Sequence, residues 1–465
     1  MNILEKLEKN RDQILLAEIG AYLHLIGRFS EKFMYAQAKD ATNSEKDFNY
    51  EKVCDYPDFF ENTGLDKSLE DQSWELLINA FKNLSNAGEL SSHKIKSFRD
   101  FIEKHTWSNN PRGLCKILAD AHGIVSGIDK ALAGRGESGK QRKAYTFRAT
   151  AFDYEEEIEL LSNLELKKKL FLEIKKTLDN IKNSQDVSYE DYLRLVSAMK
   201  KCYPKTIGET RRPVNEISLY DYAHTIASLM KSNLAKMVID GWYEPKGNSK
   251  WRILKVNIDV VGLMSKGLKI GDILGYRSEI KETYDKIKKI IEFEYPLGNE
   301  IYRDSTGIYF SCPDVDDISK LKSEIIDKLK DLNRLDFSLQ IDISDKSSRS
   351  MVILASEREE SLEIISYPHA GDAEYLKKEF EESKNAGGED ICPVCRLRLK
   401  PEKEDRCKKC KERYEKRSKV WLEEGSNYKE TIWLDEVADK NDRVALIVGQ
   451  FDLRRWLSGK FVDTF

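Results

Sequence analysis

An α+β protein of several domains is the fold class this sequence predicts, and three observations predict it. Residues 1–240 carry helical apolar patterns almost throughout, residues 251–342 alternate short β-type runs with helices, and residues 392–410 hold two C-x-x-C turns. A chain of 465 residues has room for about three domains at roughly 150 residues each. Lys+Arg total 77 against 81 Asp+Glu, a net charge of −4, so no chain-wide field favours nucleic acid and any such contact has to be local. Met1–Lys6 opens an amphipathic helix without a signal-peptide apolar stretch, and no run is long enough to span a bilayer. The expected location is the cytoplasm.

In the helical part, Ile14–Arg28 is a strong apolar helix with a glycine stop at Gly27. Residues 41–115 are aromatic-dotted and poorly periodic, which predicts short helices and loops. Helices are expected over 114–133, twice within 155–200, and over 216–240. Gly134–Gln141 nearly spells a phosphate-binding loop, but such a loop follows a strand, and this one follows a helix. It reads as a basic, glycine-rich loop suited to meeting a partner or RNA. Domain limits of 1–245 for the helical part and 246–345 for the next unit follow.

That second unit opens with the β-branched run Ile253–Asp259. A helix with apolar positions at Ile273, Ile280, Tyr284, Ile287 and Ile291 comes next. Glu300–Arg303 and Ile308–Cys312 are joined by Asp304-Ser305-Thr306-Gly307, the chemistry of a hairpin turn. A second helix carries Ile318, Leu321, Ile325, Leu329 and Leu332, and strict alternation at Phe337, Leu339, Ile341 and Ile343 predicts a last strand. The order β-α-β-β-α-β is that of a ferredoxin-like unit, a fold that by itself settles no function.

Residues 346–385 form a connecting segment, with Gly387-Gly388 read as a hinge into a four-cysteine element at 386–418. Cys392-Pro393-Val394-Cys395 and Cys407-Lys408-Lys409-Cys410 have the spacing of a tetrahedral structural zinc site, a ribbon or knuckle with two ligands per turn. Four protein ligands leave no open position, so this Zn²⁺ would hold a fold. Redox-active thiols are the competing reading. The many Lys and Arg around these cysteines, diluted by Glu402, Glu404, Asp405 and Glu412, read as a solvated face. Cys54, Cys115, Cys202 and Cys312 read as buried thiols. In residues 419–465, a linker helix leads to Arg443–Asp452, a strand-like run without the partner strands it needs. The expectation is the start of another sheet, cut short, in the N-terminal part of a longer protein.

Three stretches carry a family resemblance: Leu15–Arg28, Ala119–Lys130 and Ser218–Leu229. They resemble, in order, a segment with a His-Asp pair and Gly-Lys, an Ala-Asp…Ser-Gly helix, and a Ser-Leu-Tyr-Asp-His helix. Together with the cysteine element they are similar to the Cas-ten-like large subunit of type III CRISPR effector complexes, closest to the Csx-eleven branch. The resemblance implies a helical HD-type domain, a first palm, a zinc element and a second palm. Leu25 stands where the HD pair has its metal-binding Asp, and Tyr222 where the third motif has its His. His24 and Asp120 remain, with His224 a substitute imidazole, so a degenerate HD-type domain with little prospect of DNase activity is expected. In a palm, Asp259 and Asp452 would be the metal- or nucleotide-binding positions; the hairpin with Asp304 lacks paired carboxylates, so the first palm is expected to be non-catalytic. Cyclic oligoadenylate synthesis with ATP and Mg²⁺ would require a second palm beyond Phe465.

The implied role is a scaffold in an antiviral complex, whose partners are crRNA-bearing type III subunits and target RNA, with no membrane. Two other classes stay open. One is an HD-type metal-dependent nuclease or phosphohydrolase using His24, Asp120 and His224. The other is a stand-alone zinc-dependent RNA-binding protein. His93, His105 and His369 have no ligand partner at useful spacing in the sequence.

Overall fold

The computed structural model describes residues 2–37, 47–78, 94–132, 145–150, 154–159, 164–206, 218–242, 250–332, 339–350, 353–365 and 372–415, with a few single positions between them, Asp336 included. The loop at 134–141, His93, His369, Phe337 and the Arg443–Asp452 run lie outside the described residues.

The helical half is built around two helices that are apolar on most of their surface. α1 (Ile3–Lys9) is closed at its start by a capping box between Asn2 and Glu5. α2 (Arg11–Leu23) is buried from Gln13 to its end, which is why its sequence shows so little polar face. Against it lies α3 (Phe98–Lys104), on which α4 (Leu114–Leu132) packs in turn. A hairpin, β1 (Tyr145–Thr150) with β2 (Tyr154–Glu159), precedes α5 (Leu164–Ser184) and α6 (Tyr189–Cys202). α7 (Leu219–Asp240) starts at Ser218, whose hydroxyl accepts from the Asp221 N–H, and ends at Gly241 in the left-handed region. It packs on α2 and α4 on one side and on the sheet on the other.

The sheet has four antiparallel strands in the order β4-β5-β3-β6, formed by β3 (Trp251–Asn257), β4 (Glu300–Asp304), β5 (Gly307–Pro313) and β6 (Gln340–Ile343). α8 (Val260–Met264) and α9 (Ile270–Lys288) connect β3 to β4, and α10 (Ile318–Leu329) connects β5 to β6. The connection order is therefore β-α-β-β-α-β, as the sequence pattern predicts. β3 is buried nearly throughout because strands flank it on both edges and helices lie over it. α7 contacts the sheet through Ser232, which donates to the Ser311 hydroxyl at 2.9 Å, while the Trp251 indole donates to the Leu229 carbonyl at 2.9 Å. Elsewhere on the sheet sits α11 (Ile353–Ile365), held by the buried Lys255 ammonium donating to Glu357 and Glu360 at 2.7 and 2.5 Å. One contiguous apolar core runs from α1 through the sheet to the cysteine element. Among the described residues no helix is long and apolar enough to cross a membrane.

Two segments differ from expectation. Residues 154–159 are a strand, where a charged helix is expected from 155 onward. The glutamates there favour a helix, but pairing with Tyr145–Thr150, rich in aromatic and β-branched residues, prevails. Gly387-Gly388 is also no hinge. α12 (Asp372–Asn385) ends with the Gly387 N–H donating to the Lys384 carbonyl and the Gly388 N–H to that of Ser383, both at 3.0 Å. That is a Schellman stop, with Gly387 at φ +85°. A Cβ on Gly388 would lie 2.5 Å from the Leu399 Cβ and 2.8 Å from the Ser383 carbonyl. Gly388→Ala is therefore expected to cost about 1–3 kcal/mol of stability, read as a lower denaturant midpoint with unchanged slope.

Candidate functional site

The chain presents two sets of side chains able to hold a metal ion. The first is Cys392, Cys395, Cys407 and Cys410, all buried, with every pair of sulfurs within 4.8 Å. A two-residue ladder, β7 (Asp390–Ile391) with β8 (Leu399–Lys400), carries Cys392 at its end. The Cys392 N–H donates to the Arg398 carbonyl at 2.8 Å, and Arg396 adopts φ +55°, closing the first turn. Cys407 precedes a helical turn that holds Cys410, and its N–H donates to the Cys392 sulfur at 3.3 Å. The Cys395 and Cys407 sulfurs are 3.8 Å apart. Tetrahedral Zn–S bonds of about 2.3 Å place sulfurs about 3.8 Å from one another, so the donor set fits Zn²⁺. Hydrogen bonds from Cys395, Cys407 and Cys410 hold the Cys392 thiol far below its usual range, while hydrogen bonding to Cys392 pushes the Cys407 and Cys410 thiols up.

The basic residues around these cysteines divide, correcting the expectation of one solvated face. Lys408 is exposed, but Arg398, Arg406 and Arg413 are buried. Arg398 donates to Asp336 at 2.7 Å, Arg406 to Asp272 at 2.6 Å, and Arg413 to Glu279 at 2.6 Å. Tyr276 also donates to Asp336 at 2.7 Å, and the Arg413 guanidinium stacks 4.0 Å over the Tyr276 ring. Burial alone would raise the Asp336 carboxyl; the charges of Arg413 and Arg398 outweigh it and hold the group below its usual range. Arg406 and Arg413 fasten the cysteine element to α9 and Arg398 ties it to Asp336, so all three are engaged within the protein.

The second set is His24, His105 and His122, one ring nitrogen of each lying within 4.8 Å of the others. Its assembly starts at Gly20, where a Cβ would come 2.5 Å from the Phe101 ring. Because α2 and α3 cross that closely, His24 and His105, each four residues further along, meet at the ends of their helices. Their ring centroids are 4.8 Å apart. α4 adds His122, stacked on His105 at 5.3 Å. His24 Nδ1 donates to the Ala21 carbonyl. His105 Nδ1 lies 2.9 Å from the carbonyls of Phe101 and Ile102, so it too carries the proton. The lone pairs of both rings are thereby left on Nε2. Burial pulls His24 well below the usual histidine range, and His105 down to about 4, so both rings are neutral at neutral pH.

The other residues singled out in the sequence lie elsewhere. Asp120 accepts from Lys116 at 2.6 Å. His224 Nε2 donates to the Glu300 carbonyl at 2.7 Å, leaving Nδ1 to accept from the Tyr22 hydroxyl at 2.5 Å. The structure brings His24 to His105 and His122 rather than to His224. The sequence reading gave His105 no ligand partner and did not place His122 beside it; no local pattern marks their meeting, which depends on Gly20 admitting the Phe101 ring. Asp259 caps α8, accepting from the Gly262 N–H at 2.8 Å, and Asp304 accepts from Thr306 and Arg358 at 2.8 and 2.6 Å. Asp452 lies outside the described residues. Cys54, Cys115, Cys202 and Cys312 are all buried, as expected, and form no disulfide.

No family model and no curated protein matches this sequence. Solved structures similar to it include Csm1–Csm4 cassettes and Csm1. An apo Csm1–Csm4 cassette is 13% identical at a TM-score of 0.44, over 81% of this chain and 51% of that one. A cassette in complex with pppApA is 15% identical at 0.41, over 76% and 49%. Csm1 of T. onnurineus is 14% identical at 0.39, over 72% and 45%. The chain thus spans about half the length of the Csm1 chains it is similar to.

Proposed function

We propose that this chain acts as a large-subunit-like scaffold of a type III CRISPR RNA-guided effector complex, with an inactive HD-type site and a non-catalytic first palm. The observation that carries this reading is the succession of parts in one chain. A helical domain bears the three motif stretches, then come the β-α-β-β-α-β sheet and the four-cysteine element. Leu25 and Tyr222 supply neither carboxylate nor imidazole at the two motif positions where a metal nuclease needs them. The carboxylates of Asp259 and Asp304 are spent on a helix cap and a turn, which supports a structural role for the sheet. The enzyme reading through His24, Asp120 and His224 is weakened by the separate partners of Asp120 and His224.

The test is co-expression of the full chain with a Csm4-type subunit and crRNA. Stable co-elution, with no cyclic oligoadenylate formed from ATP and Mg²⁺ and no metal-dependent cleavage of DNA, is the expected result. A chain that elutes alone and binds RNA in a salt-sensitive manner would overturn the scaffold reading in favour of a stand-alone RNA-binding protein.

A further inference from the structure

We propose that His24, His105 and His122 form a three-nitrogen site for a divalent first-row transition cation of the zinc class, separate from the four-cysteine site. The geometry points to this in three ways. First, His24 Nε2 and His122 Nδ1 are 3.2 Å apart, close to the spacing of about 3.3 Å that Zn–N bonds of about 2.0–2.1 Å impose on tetrahedral nitrogens. Second, His105 Nε2 is buried and has no hydrogen-bond partner, while the ring is only 2% exposed. A buried imidazole nitrogen with no partner is costly unless something else uses its lone pair. Third, His24 and His105 each give their Nδ1 proton to a backbone carbonyl, the outer contact that fixes tautomer and ring orientation in metal-ligating histidines.

The set is not the one the family resemblance implies. Leu25 and Tyr222 remove that set's carboxylate and imidazole, and the Asp120 carboxylate is held by Lys116. Imidazole ligands supply no negative charge of their own. Such surroundings favour a borderline cation that binds nitrogen over Mg²⁺ or Ca²⁺, which require carboxylate or carbonyl oxygens. With three protein ligands the fourth position is open. The inference stands on the side-chain geometry and is independent of the scaffold role.

The experiment uses the full chain, purified and equilibrated with Zn²⁺. The expected result is two equivalents of zinc per chain, with X-ray absorption at the zinc edge showing both a sulfur shell and a nitrogen shell. His105→Phe is expected to lose one equivalent together with the nitrogen shell and to keep the sulfur shell. Asp120→Asn is expected to keep both equivalents. One equivalent and a pure sulfur shell in the unaltered chain would overturn the site and leave the three rings as a hydrogen-bonded core. Loss of the nitrogen-bound zinc in Asp120→Asn would also overturn it, assigning the metal to a carboxylate-containing site instead. The unaltered chain alone decides the matter should His105→Phe fail to fold.

Discussion

Replacing Cys407 with serine, or extracting zinc with a chelator, is expected to unfold the cysteine element and to loosen α9 beneath it. Structural zinc contributes about 10–16 kcal/mol to the folding of small zinc domains, because no preformed site exists in the unfolded chain. Here the effect should spread. Arg398 and Arg413 reach Asp336, whose side chain is fully buried, and both arginines are positioned by residues of the cysteine element. Withdrawing them strands a buried carboxylate, which costs about 3–5 kcal/mol when such a pair is broken from one side. Hydrogen exchange should therefore accelerate across 386–415 and also around Tyr276 in α9, and Cys407→Ser should lose the cysteine-bound zinc. Faster exchange confined to 386–415 would mean that the arginine contacts contribute little.

The parts of this molecule that were legible in the sequence are those specified by local pattern. The strands at 251–257 and 307–313 and the helices carrying Ile280 and Leu321 follow from period and turn chemistry alone. The four cysteines are legible because two short turns bring their ligands together almost independently of the rest of the fold. What was not legible depends on contacts distant in sequence. Arg398, Arg406 and Arg413 resemble solvated basic residues until Asp336, Asp272 and Glu279 of another unit are placed against them. His105 joins His24 only because a glycine on one helix admits a phenylalanine from another. The same limit applies to Glu18 and Lys231, which sit in apolar helices without any local sign that they are a pair.

Glu18→Gln or Lys231→Met, made singly, is expected to destabilise the protein by about 3–5 kcal/mol, seen as a lower denaturant midpoint. Both side chains are 0% exposed, and their charged groups lie 2.8 Å apart where α2, α7 and the chain entering β4 meet. Asn299 ties the pair into one network, donating to Glu18 at 2.6 Å and accepting from Lys231 at 2.7 Å, while the Tyr192 hydroxyl donates to Glu18 at 3.1 Å. Each single change leaves an uncompensated charge in a site that water does not reach. Replacing both, as Glu18→Leu with Lys231→Met, removes both charges and is expected to recover most of the loss, since apolar residues of similar volume often match a buried ion pair. Full recovery would show that the pair contributes specificity in docking the helical half on the sheet rather than net stability. If the double variant is as unstable as the single ones, the cost lies with Asn299 and Tyr192, whose polar groups would then be left unsatisfied in the core. A coupling energy near zero between positions 18 and 231 would overturn the assignment of the pair as the link between the two halves.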